Sequence, residues 1–278
     1  MKKWSLLSVL LFAVAVSAAV DLPKSIAIKV GDVDLRLDAA KRWCINSIKV
    51  KGNVFGIDNP GSHYGMVYFG QGAKGFIGSG HTETGAGEVV ESVTFIIDGK
   101  ECPPAEKMTA AKEFVMSKVS TIGDLSVTYT FSLKDRTLFE RTSITAKKDV
   151  PVKVAYCFMH PWSPKFTTFC GLRPSGEMFS LTLVSNEKFP SQGFLPKIAM
   201  FNPETGDALA TAVTVEYGFD KLSRLMWDRK IYHKDYIVVA GNQVIPAGRK
   251  GEISAKTVFF RSTAEKFTAD AEKCFMQL

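Results

Sequence analysis

Leu125-Ser126-Val127-Thr128-Tyr129-Thr130-Phe131 carries an apolar side chain at every second residue, and after the polar break Lys134-Asp135-Arg136 a second run follows over 139–146. A period of two marks a strand with one face buried and the other wet. Two such runs joined by a short polar turn pair antiparallel, so this stretch predicts a hairpin. The pattern continues outward. Val93-Phe95-Ile97 ends in the turn signal Asp98-Gly99, and Ile26-Ile28-Val30 leads through Gly31-Asp32 into Val33-Leu35-Leu37. Toward the C-terminus, residues 152–158, 179–184, 208–217, 236–240 and 251–260 are further strands, with turns such as Pro203-Glu204-Thr205-Gly206 between them. About a dozen strands exceed what one open sheet holds before it curls or splits. The expected class is therefore all-β, a large antiparallel β-sandwich with a short C-terminal helix. For that helix, Ser262 and Glu265 stand at capping-box spacing, and Phe267, Ala271, Cys274 and Phe275 fall on one face.

The N-terminus reads differently. Met1-Lys2-Lys3, an apolar run over 6–16 and then Ser17-Ala18-Ala19 have the order of an export signal, and the apolar run is too short to span a bilayer. Residues 1–18 are expected to be a signal peptide and 19–278 a single β-sandwich domain, periplasmic or secreted, with no stable membrane insertion after cleavage. No linker, low-complexity tract or fixed-period repeat divides the chain. Hydrophobic residues at 46% and charged ones at 23% suit a large core. Loss of Lys2 and Lys3 lowers the net charge from +7 to +5, spread in pairs such as Lys147-Lys148 and Arg249-Lys250. That dispersal argues against nucleic acid as a partner, while attraction to an acidic polysaccharide stays open. Five cysteines show no CxxC; a Cys157–Cys170 bridge and buried free thiols are both compatible with export.

Two segments hold the chemistry: Gly78-Ser79-Gly80-His81-Thr82-Glu83 and Met159-His160-Pro161-Trp162. On a strand His81 and Glu83 would share one side, where carboxylate and imidazole can act as base and acid; the bland alternative is a solvent-facing pair. His160 beside Trp162 could bond sugar hydroxyls while the indole stacks on a ring, or Pro161 and Trp162 could simply end a strand and cap the core. His63 lies in the glycine-flanked Gly61-Ser62-His63-Tyr64-Gly65, where backbone can approach a ligand. Residues 228–235, with His233, read as a charged solvated loop whose neighbours Trp227 and Tyr232 could face a sugar. His63, His81, Glu83 and His160 include metal-ligand types, but no HExxH spacing supports a metal, and no cofactor is expected. Neither a phosphate-binding loop nor a GxSxG elbow is present.

The strand order, the Gly-His-Thr-Glu segment and the Tyr-Cys-Phe-Met-His-Pro strand end together resemble the galactose mutarotase-like supersandwich, over most of the mature chain. The resemblance implies a carbohydrate partner. It also implies that His160, in Met159-His160-Pro161-Trp162, and His81 match the two histidines around the sugar in aldose epimerases. The glutamate base of that family lies on a late strand before a turn that Ile245-Pro246-Ala247-Gly248 resembles, and Tyr236-Ile237-Val238-Val239-Ala240-Gly241 upstream has no carboxylate. Asp228, Asp235 or Glu83 could substitute. The expected site is thus His81, His160 and Glu83 as catalytic groups with His63, Trp162, Trp227 and Asp228 as substrate contacts. Its chemistry would be epimerisation or lyase-type proton abstraction; the alternatives are a noncatalytic glycan-binding module and a structural envelope protein. Convergence of His81 and His160 in a cleft of about 300–1,000 Å³ is the geometric expectation.

Overall fold

The 125–146 stretch forms the hairpin that its alternation predicts. In a computed structural model, which describes residues 22–58, 63–79, 81, 87–219 and 222–278 apart from the side chains of His63, Tyr64 and Gln192, strand Leu125–Lys134 pairs antiparallel with Thr137–Ala146 without a register shift. Asp135 and Arg136 between them have φ of 46° and 58°. Two positive φ values in a two-residue loop match the right-handed twist of the flanking strands. The proposed leader and Glu83 lie outside the described residues.

Two sheets result. The first runs edge to edge through Lys188–Gly193, Ser223–Asp228, His233–Ile245, Val150–Trp162, Asn53–Gly56, Cys44–Val50, Val33–Asp38, Ser25–Val30 and Lys107–Ala110; His63–Gly70 also pairs with Val150–Trp162 and carries Phe76–Gly78. The second runs through Met178–Thr182, Thr168–Leu172, Lys197–Asn202, Asp207–Tyr217, Lys250–Arg261, Thr137–Ala146, Leu125–Lys134, Glu113–Ile122, Val89–Ile97 and Lys100–Cys102. Pairing is antiparallel except where Ser25–Val30 meets Lys107–Ala110. One apolar core fills the space between the layers, drawing Ile26, Leu35 and Ile237 from the first and Phe114, Phe131 and Phe259 from the second. The chain is an all-β sandwich, as its periodicity predicts.

The helix, Phe267–Gln277, covers part of the second sheet's outer face. Its Phe267, Ala271 and Phe275 pack on Cys170, Ala199, Phe201, Ala208 and Ala210. Strands there are buried on both faces, which is why Lys197–Asn202 and Asp207–Tyr217 lose the polar half of the alternation. The capping box does not form. Lys266 is the N-cap and makes no side-chain cap bond, and Ser262 Oγ instead donates to Asp270 at 2.8 Å. All five cysteines are free thiols, and the Cys157–Cys170 bridge is precluded because Cys157 faces the interlayer core while Cys170 lies under the helix. No helix among the described residues is long and apolar enough to cross a membrane.

Candidate functional site

Within the first sheet, alternation sends one set of side chains inward and the other outward. Along Ser223–Asp228, Arg224, Met226 and Asp228 are buried, leaving Leu225 and Trp227 on the outer face. Along His233–Ile245 the inward Asp235 and Ile237 leave Lys234 and Tyr236 outward. In Val150–Trp162 the ladder is interrupted between Cys157 and His160, and the buried Phe158 takes φ 51°. An extra residue in a strand resets which side chains face which way. Tyr156 and Met159, three apart, therefore both face outward, and His160 and Trp162 turn into the core.

The outward set encloses a cleft of about 270 Å³, lined by Val67, Phe76, His81, Tyr156, Met159, Phe189, Leu225, Trp227, Lys234 and Tyr236. Its volume is just under the ordinary range for ligand sites. A belt of rings crosses it. Phe189 stacks on Trp227 at 5.5 Å and 16°, Trp227 meets Tyr236 at 6.2 Å, Tyr236 meets Tyr156 at 5.3 Å, Tyr156 meets Phe76 at 5.7 Å, and Phe76 meets the His81 imidazole at 5.3 Å. These rings span six hydrogen-bonded strands, since His63–Gly70 lies between the strands of Tyr156 and Phe76. Gly78 places the histidine: its φ is 118°, and His81 N donates to Gly78 O at 2.7 Å.

Lys234 supplies the cleft's amine. It is 4% exposed, and its Nζ stands 4.9 Å from the Tyr236 ring centroid and 5.6 Å from that of Tyr232. Burial, with the charges of Lys41 and Arg229 adding to it, pushes its pKa down to about 7. Burial likewise raises the Tyr156 and Tyr236 phenols, which stay protonated and able to donate at neutral pH. At the rim, the Arg229 guanidinium lies 4.4 Å over the Trp227 ring and donates to Glu187 at 2.7 Å.

Of the expected site residues, His81 and Trp227 reach this cleft. His160 and Trp162 do not, because both are 0% exposed between the sheets. His160 Nε2 lies 2.7 Å from Glu140 Oε2, Tyr129 donates to the other oxygen at 2.7 Å, and the His160 and Trp162 rings touch at 5.0 Å. The expected convergence of two histidines in one cleft is therefore corrected: a backbone bulge separates them onto opposite sides of the sheet. Asp228 is also internal. It accepts from the backbone of Val184 and Ser185 at 2.9 Å and lies 2.9 Å from His233 Nδ1. Asp235 is held by two bonds from Arg224, 2.8 and 2.6 Å long. Residues 228–235 are a solvated loop only at their tip, where Lys230 and Ile231 are exposed; Asp228, His233 and Asp235, on the flanking strands, are buried and paired. The His63 side chain and Glu83 lie outside the described residues.

Sequence reasoning missed Phe76, Tyr156, Phe189, Lys234 and Tyr236. The alternation Lys234-Asp235-Tyr236 beside Leu225-Met226-Trp227 was the available signal. No group of three or more possible metal ligands gathers among the described residues.

No protein-family model matches the chain, and no curated protein matches it. Solved structures do. A galactose mutarotase-like protein from Clostridium acetobutylicum is 8% identical, covers 86% of this chain and 95% of its own, and has a TM-score of 0.51. An α-N-acetylgalactosaminidase from Bifidobacterium bifidum is 9% identical over 91% of this chain and 38% of its own, with a TM-score of 0.53. A GH36 α-galactosidase from Geobacillus stearothermophilus is 9% identical over 86% of this chain and 41% of its own, at 0.51. At such identity the likeness is one of fold: the chain has the galactose mutarotase-like sandwich.

Proposed function

We propose that this chain is an exported carbohydrate-binding protein whose ligand lies along the aromatic belt on the outer face of the first sheet. The belt is the observation that carries the reading. A pyranose presents a face of C–H groups that packs on an aromatic ring while its hydroxyls remain free to bond, and Tyr and Trp offer both kinds of surface. Lys234, His81 and the two phenols supply the few polar groups that orient a ligand in an otherwise apolar cleft. Rings on five strands of a six-strand stretch, with neighbouring strands spaced by about 4.8 Å, suit an oligosaccharide better than a single sugar. Support for export comes from the basic, apolar and small-residue order of Met1 to Ala19.

Calorimetric titration of oligosaccharides one to six units long tests this. Affinity should rise with length and fall with Trp227→Ala, and a panel that leaves the protein unresponsive would refute it. Fractionation of expressing cells should find the protein outside the cytoplasm, shortened at its N-terminus.

One observation favours a second reading, sugar epimerisation. Lys234, titrating near 7, shares the cleft with His81, and a group with that pKa can both take and return a proton. Exchange spectroscopy on glucose and galactose anomers separates the two. Rates equal to buffer support the binding module; acceleration abolished by Lys234→Met would replace it with an enzyme.

A further inference from the structure

Resting on the carbohydrate reading of the cleft, we propose that its ligand is an acidic carbohydrate, a sugar bearing a carboxylate or sulfate group that pairs with the Lys234 ammonium. An ammonium removed from water is costly unless an opposite charge or hydrogen-bond acceptors replace the hydration it loses. Lys234 is almost fully buried. What faces it is the rings of Tyr232 and Tyr236, with Tyr156 and His81 along the cleft and the further cations Lys41 and Arg229 near enough to disfavour its charge. No carboxylate of a described residue lies within ion-pair distance of it.

Each acid close by among the described residues is committed elsewhere. Asp235, its neighbour in the chain, points through the sheet to Arg224. Asp228 is spent on the 184–185 backbone and His233, and Glu187 holds Arg229 and the Lys230 N–H. The cleft is thus aromatic below, with the Lys234 amine at one point and no countercharge for it among the described residues. Lysine acts as a compact point charge toward such anions. A ligand carboxylate or sulfate over the belt would complete the pair, and its charge would be drawn toward a chain whose net charge is already positive.

The depressed pKa of Lys234 gives the pairing a signature. Above pH 7 the free protein holds a neutral amine, so binding an anion there requires proton uptake and weakens as pH rises. Between pH 7 and 9 affinity should fall by up to about tenfold per unit, whereas a neutral sugar shows no such slope.

The test is calorimetry on the mature protein with matched probes. Oligogalacturonate and oligoglucuronate are each compared with their methyl esters, and a sulfated galacto-oligosaccharide with its unsulfated parent, at pH 6, 7, 8 and 9. The acidic member of at least one pair should bind about tenfold or more tightly at pH 6, and the winning pair tells carboxylate from sulfate. Lys234→Met should abolish that advantage, and Lys234→Arg, which stays charged, should keep it while flattening the pH slope. Equal affinity of acidic and neutral members in every pair overturns the proposal but leaves the carbohydrate reading standing, and so does an advantage that survives Lys234→Met. Failure of all acidic and neutral probes to bind overturns both. The comparison on the unmutated protein decides the matter even if a variant fails to fold.

Discussion

His160 shares its hydrogen bond with Glu140 where neither side chain meets water, so removing Glu140 takes a close partner from both the buried imidazole and the Tyr129 hydroxyl. Breaking such a pair typically costs about 3–5 kcal/mol. Glu140→Ala should lower unfolding free energy by that order in a urea titration. Sugar affinity should stay within about twofold, as expected for distant sites, because the cleft lies on the other side of the sheet. A large loss of affinity at full stability would return His160 to the site. Lys234 is the opposite case, a charged group whose sequence neighbours Asp228, Arg229 and Asp235 suggest exposure, yet each is claimed by a bond that only the fold supplies. Charge in a sequence says nothing about pairing, and this is why residues 228–235 were illegible.

At the level of elements, alternation read correctly where one face is wet in Leu125–Lys134 and Thr137–Ala146. It failed in Lys197–Asn202, where the helix covers the second face, and at Phe158, where one extra residue inverts the parity of everything after it. A motif such as Met159-His160-Pro161-Trp162 can suggest a sugar site on chemistry alone, but the side of the sheet it occupies depends on a bulge that leaves no periodic trace. Gly78 is a second special position. A Cβ there would lie 2.3 Å from Met66 O, and φ 118° disfavours any side chain. Gly78→Ala should cost about 1–3 kcal/mol and shift the short strand that leads to His81. Weaker sugar binding with the rest of the sandwich intact, followed by titration and circular dichroism, is the expected result.

Across the whole molecule the two outer faces have different tasks. The second sheet spends part of its outer face on the C-terminal helix, and the first leaves its outer face open as the aromatic cleft. Phe275→Ala should therefore lower stability by about 3–5 kcal/mol in chemical denaturation and leave affinity for oligosaccharides unchanged. The two tryptophans expected at the site divide the same way, Trp162 within the core and Trp227 on the belt. The most direct measurement is oligosaccharide affinity and melting temperature for Trp162→Phe and Trp227→Ala side by side. A ligand on the outer face predicts that Trp227→Ala loses at least about tenfold in affinity, or 1.4 kcal/mol, with little change in melting, while Trp162→Phe melts earlier and binds normally. Normal binding by Trp227→Ala together with loss of binding by a stably folded Trp162→Phe would contradict it.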